Sequence, residues 1–222
     1  MAYDCAMIRS AFSEAVESLL VGLLEVFPEC QATRTTMDAF VMFVKGNKKA
    51  EHSMISTFGE CVENGTQIVR SKDEEALLAA VERIPVLRGI GIRTKWNNDL
   101  DQPSKDNLWH HMKVLNAYAK VYASVPDAVM SKVESVLRGV GEGTEPLDML
   151  KAVEQVTASF ADAPTKLEGL SEETARETIS ALTDLVEMQA PHMQVGDMIQ
   201  QLMAKVGDAA RVNAALPQVA DG

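Results

Sequence analysis

Between Ser104 and Val125 the chain reads SKDNLWHHMKVLNAYAKVYASV, and this stretch limits the fold more than any other. At about 100° per residue, Leu108, Met112, Leu115, Ala119 and Tyr122 form one stripe, with His111, Val114, Tyr118 and Val121 forming a second beside it. Together they cover roughly 200° of the circumference, against roughly 100° for the apolar face of an ordinary surface helix. Such a helix has to be covered from several directions. The pattern predicts an all-α fold, an irregular multi-helix bundle around a central helix at about 104–125, with Ser104 as its cap and Val125-Pro126 as its end.

The segments before it supply the cover. Ile8, Phe12, Val16, Leu19, Leu20, Leu23, Leu24 and Phe27 recur at three- and four-residue steps, which predicts a first helix capped by Asp4 and stopped by Pro28. A second helix is expected from near Thr35, with Asp38 in its first turn and Met37, Phe40, Val41 and Val44 turned inward, ending at Gly46-Asn47. A third runs from about Lys48 through Met54, Ile55, Phe58 and Val62 to Asn64-Gly65. Ser71 and Glu74 match the S-x-x-E capping box ahead of Ala76, Leu77, Ala80, Val81 and Ile84. From Pro85 to Pro103 the periodicity lapses, and the apolar content of the segment predicts that it lies on the domain as a short strand or a single helical turn.

Composition changes along the chain. Of 11 aromatic residues, 10 lie at or before Tyr122 and only Phe160 follows, so the firm core belongs to the first part. Residues 1–125 carry 14 basic and 16 acidic side chains, a balance of −2; residues 126–222 carry 7 and 16, a balance of −9. These shifts predict a helical core domain at 1–140, a glycine-rich hinge at 141–146, an acidic helical arm or subdomain at 147–207 and a frayed tail at 208–222. Phosphate binding requires a positive surface, so the acidic part is a poor partner for nucleic acid. Apolar runs such as Leu19–Leu24 stop at six residues, far short of the roughly 20 that span a bilayer. Cys5, Cys30 and Cys61 form neither a disulfide framework nor a CxxC pair, which with the absence of a signal-like N-terminus predicts a reducing, intracellular setting.

Catalytic signatures are missing. The chain contains no G-x-S-x-G, G-x-x-x-x-G-K-[ST], H-E-x-x-H or G-x-G-x-x-G motif. His110 and His111 are adjacent on a helix and diverge by about 100°, so they cannot chelate one ion together. No catalytic, cofactor or metal residue is expected, and no small-molecule ligand; a non-motif enzyme site near His111 is the least favoured reading. Arg88, Arg93 and Lys95 around Trp96 make a modest basic cluster diluted by Asp99, Asp101 and Asp106, the basis of an alternative reading as a nucleic-acid accessory protein. Trp96 and Trp109 are candidates either for packing the irregular loop on the core or for anchoring a protein partner. Met198, Ile199 and Leu202 lie on an amphipathic stretch, Val195–Val206, suited to docking on protein.

Two stretches, Phe27-Pro28-Glu29-Cys30 after a leucine-rich helix and Lys95-Trp96 through Leu108-Trp109-His110-His111-Met112-Lys113-Val114-Leu115-Asn116-Ala117-Tyr118, resemble uncharacterised helical proteins of large DNA viruses of algae and other protists. The likeness covers about residues 20–125, and no functional residue transfers with it. It implies a setting, a virion or an infected cell. The sequence therefore predicts a non-enzymatic interaction or structural protein whose acidic C-terminal helices engage a protein partner or a second copy.

Overall fold

A computed structural model describes residues 6–62, 68, 71–124, 133, 134, 138, 151, 155 and 172–189. Among the described residues the secondary structure is entirely helical, as the apolar periodicity predicts: α1 (Ala6–Val26), α2 (Gln31–Phe43), α3 (Lys48–Cys61), α4 (Glu74–Arg83), α5 (Ile92–Trp96), α6 (Gln102–Ser124) and α7 (Glu172–Gln189). The contacts divide the chain into two units. The first is Ala6–Ala123; the second contains Ser124 and α7. The boundary expected near residue 140, the hinge at 141–146 and the tail at 208–222 fall outside the described residues.

In the first unit α1 packs against both α2 and α3. Its buried positions, Ile8, Phe12, Val16, Leu19, Leu20 and Leu23, form the stripe read from the sequence. Phe12 meets Phe58 of α3 edge to face, with centroids 5.3 Å apart and planes at 73°, a geometry worth about 0.5–1.5 kcal/mol beyond the area it buries. Beside them Arg9 and Glu51, both nearly buried, face each other at 4.0 Å. Glu51 Oε1 also accepts the Gly46 backbone N–H at 2.9 Å. That second bond helps to offset the cost of withdrawing the carboxylate from water. It also ties the α2–α3 turn, where Gly46 adopts φ +78°, to the core.

Local chemistry shifts three helix starts from where the sequence predicts them. Helix α2 begins at Gln31, because Cys30 is extended (φ −75°, ψ 96°) and its carbonyl already accepts Arg34 N–H at 3.2 Å. Asp38 therefore sits mid-helix. Asn47 caps α3 as a strong N-cap should, its side chain accepting from the backbone N–H groups of Lys49 and Ala50, each at 3.2 Å. At α4 the cap is Asp73, accepting from Ala76 N–H at 3.0 Å. Ser71 instead donates to Ile68 O, and Lys72 takes a positive φ of 50°. The S-x-x-E box does not form because Asp73 lies one residue from Glu74 and reaches the free N–H groups first.

For α6 the cap is Asp101, which accepts from Ser104 N–H at 2.9 Å. Bonds from the Ser104 side chain and backbone hold the Asp101 carboxyl below the usual carboxylate range. Ser104 is thus the third helical residue, and Pro103 sits in the first turn, where its missing N–H costs nothing. The helix is enclosed as its apolar arc requires: Leu115 through Ala119 are five consecutive buried residues, with Leu115 1% and Tyr118 9% exposed. It abuts α1, where a Cβ on Gly22 would lie 3.6 Å from the Asn107 side chain. It abuts α3 as well, where His52 Nδ1 and the Tyr122 hydroxyl share a hydrogen bond.

The irregular segment between α4 and α6 contains a helical turn and no strand. Leu87, Ile90, Ile92 and Trp96 are buried, so the segment fills space. Gly91 precedes α5 at φ +74°, a backbone region that L side chains rarely adopt. In the second unit α7 buries Thr178, Ile179, Ala181, Leu182, Thr183 and Leu185, and Thr178 Oγ1 shares a 2.8 Å hydrogen bond with Ser124 Oγ.

Candidate functional site

The basic segment is spent on internal contacts. Helix α4 carries Glu74 and Glu75 in its first turn, where the helix dipole favours carboxylates, and Glu82 two turns on. Arg93 reaches Glu75 at 2.7 Å and Glu82 at 3.0 Å; the hydrogen bond to Glu75 is the main reason its guanidinium is pushed above its ordinary value. Trp96 Nε1 donates to Glu74 Oε2 at 3.0 Å. Lys95 lies over the Phe27 ring at 5.1 Å and Lys105 over the Trp96 ring at 5.1 Å. Arg83 donates to Cys61 O at 2.7 Å, and Cys61 Sγ returns a bond to Arg83 O at 3.3 Å. The geometry fastens the 84–101 segment onto α4 and leaves only Arg88, of Arg88, Arg93 and Lys95, as an exposed charge with no described contact.

Burial also describes the tryptophans. Trp96 is 1% exposed, its ring enclosed and its one donor satisfied; Trp109 is buried on α6. Neither ring presents a face to a partner, because a side chain that fills the core has no surface left to offer. Met198, Ile199 and Leu202 lie outside the described residues.

The histidines form no shared site. His110 is exposed and His111 half-buried, their rings 6.0 Å apart at 74°. Burial pushes the His111 imidazole below its ordinary value, with the charge of His110 adding to the effect. Among the described residues no group of three His, Cys, Asp or Glu side chains is placed to hold a metal ion. Cys30, at the start of α2, has its thiol drawn down, first by a hydrogen bond from the Thr33 side chain and then by the Thr33 backbone N–H.

What the sequence pattern does not reveal is an apolar surface at the end of α2. Val41, expected inward, is 47% exposed; Met42 is 71% and Phe43 65% exposed. The run Phe40-Val41-Met42-Phe43-Val44 is apolar at five consecutive positions and sweeps the whole circumference of a helix, so a helix lying on one neighbour has to leave part of it in water. Phe40 takes the buried position. Val44, three residues on from Val41, lines a cavity of about 260 Å³ with Phe12, Val16, Ala50, Met54, Phe58 and Ile84. A second recess, about 580 Å³, lies between α3 and α6 and is lined by Ser56, Gly59, Glu60, Ala119 and Tyr122 among others.

Compared with known families, curated proteins and solved structures, the chain matches none. No helix among the described residues is long and apolar enough to cross a membrane.

Proposed function

We propose that this chain is a non-enzymatic interaction or structural protein, built as a helical core with an acidic C-terminal part that engages a protein partner or a second copy. The observation that supports an interaction role is the exposure of Met42 and Phe43 at the end of α2, on a unit whose other large rings are mostly buried; the part given to the C-terminal helices rests on the balance of −9 over residues 126–222. Adjacent exposed apolar side chains of this size mark surfaces that meet other proteins. An intracellular setting, and the virion or infected cell implied by the Leu108-Trp109 stretch, belong to the same proposal.

The nucleic-acid alternative is less well supported. Its cluster needs Arg93 and Lys95 free to meet phosphate, and Arg93 is held by two carboxylates while Lys95 lies on Phe27. An enzyme built on His111 would need carboxylates close to a half-buried ring, and the charged neighbour that affects it is His110.

Affinity purification of the full chain from its native source, with quantification of bound protein and nucleic acid, tests the reading. Protein bound in near-stoichiometric amount, with nucleic acid at background, is the expected result. Nucleic acid that elutes steeply with salt and is lost in the Arg93→Glu, Lys95→Glu variant would replace it with the alternative.

A further inference from the structure

We infer that the recess between α3 and α6 binds a small organic amine, taken up as its ammonium ion with a short apolar body. This goes beyond the proposed function, and three observations point to that ligand. The first is size and lining. The recess holds about 580 Å³, inside the roughly 300–1,000 Å³ of small-molecule pockets. Ile55, Ala119 and Ala123 give it apolar walls, and three polar side chains, Ser56, Glu60 and Tyr122, stand among them. Apolar walls hold the body of a ligand while a few polar groups orient it.

The second is charge, carried by the lining itself. Glu60 is the one charged side chain among the described lining residues; it is exposed and makes no ion pair among the described residues. Basic residues of the flanking elements do not answer it. Arg83 is spent on the Cys61 carbonyl at 2.7 Å. Lys120 points about 100° around α6 from the face of Ala119, Tyr122 and Ala123, and Lys49 lies about 16 Å along α3 from Glu60. An ammonium ion therefore meets an uncompensated carboxylate. Ser56, half-buried and with no described hydrogen bond, adds an acceptor for its N–H groups. The Tyr122 hydroxyl is bonded to His52, which steadies a ring whose face attracts cations.

The third is Gly59. It sits inside α3 between Ser56 and Glu60, and a Cβ on it would meet nothing within 4 Å. Glycine inside a helix costs stability relative to alanine, and no neighbouring side chain uses the room it leaves. That room belongs to the recess, where the body of the amine lies.

NMR titration of the full chain with phenethylamine, a one-ring primary amine, tests this, with phenethyl alcohol and hydrocinnamate as neutral and anionic counterparts of similar size. Amide shifts should saturate and cluster at Ser56–Glu60 and Ala119–Ala123, and the amine should bind about tenfold or more tighter than either counterpart, a difference of about 1.4 kcal/mol. Glu60→Gln should remove the preference over the alcohol, whereas Glu25→Gln, at an exposed position on α1, should leave it intact. A chain of net charge −11 attracts any cation diffusely, and that attraction would respond equally to both substitutions. Gly59→Leu, which fills the recess, should abolish binding. Gly59→Ala should raise the urea midpoint and still weaken the amine several-fold, a combination that damage to the fold would not produce. Equal affinity for the three probes, shifts spread over the surface, equal responses to Glu60→Gln and Glu25→Gln, or binding unchanged in Gly59→Leu overturns the inference. So does preference for a lysine side chain in an acetylated peptide over phenethylamine, because the occupant is then a protein partner and not a free amine.

Discussion

Helices α2 and α6 both carry apolar residues around most of their circumference, and the protein treats them in opposite ways. On α6 five consecutive residues from Leu115 to Ala119 are buried; on α2 three consecutive apolar residues, Val41 to Phe43, stand in water. Intrinsic hydrophobicity does not separate them. Neighbours do: α6 abuts both α1 and α3, whereas α2 packs chiefly against α1. The lesson is that an apolar arc states how much cover a helix can use, and the number of adjacent elements decides how much it receives. Where the two disagree, the uncovered remainder is where a partner is to be sought.

The largest expected effect of testing this contrast is at Leu115. Leu115→Ala should lower the stability of the unit by about 2–5 kcal/mol in urea unfolding, as truncation of a fully buried leucine does. A loss near zero would mean that α6 is not enclosed. Trp96→Phe should cost about 1–3 kcal/mol by the same measurement, since it empties part of a buried site and removes the bond to Glu74. Glu74→Gln, which keeps an acceptor, should cost less than Trp96→Phe.

Smaller effects sharpen the comparison. Asp101→Ala should destabilise α6 by about 1 kcal/mol, while Ser104→Ala, which removes the side-chain bond to Asp101 and keeps the backbone N–H that caps the helix, should change stability by less. A larger loss at Ser104 would return the cap to the residue that the sequence pattern favours. His111 should make the folded state sensitive to acid. Its imidazole is held below its ordinary value when folded and titrates normally when unfolded, so the unfolded chain binds the proton first. Stability is therefore retained above about pH 6.5 and declines as pH falls from there through the folded value. His111→Gln should flatten that decline in urea midpoints measured across the range. The smallest effect is expected at Phe43: Phe43→Ser should shift stability by no more than about 0.5 kcal/mol. A multi-kcal loss there would show that the ring is part of the core and not of an exposed face.

Much of the architecture is legible in the residues because helical periodicity is a local property. The stripe of α1, the start of α3 at Lys48, the inward positions of α4 and the enclosure of α6 all follow from spacing. Helix starts are read less well, since neighbouring Asp, Ser and Asn side chains compete for the same free N–H groups; Asp73 and Asp101 prevail over Ser71 and Ser104 by one register or another. The basic cluster misleads for a different reason. Arg93, Glu75 and Glu82 are separated along the chain, and only the fold brings their charges to 2.7 and 3.0 Å. Trp96 carries two readings in the sequence, and its bond to Glu74, twenty-two positions away, picks one.

The amino-acid order by itself determined that the chain is helical, where its bulky rings concentrate and where its negative charge accumulates, because each of these depends on composition and on spacing within a few residues. Tertiary structure decided which apolar residues stay wet and which basic residues keep an uncompensated charge. Both are properties of surfaces facing one another across large separations in sequence: burial and pairing belong to the neighbour as much as to the residue, and no local pattern encodes the neighbour.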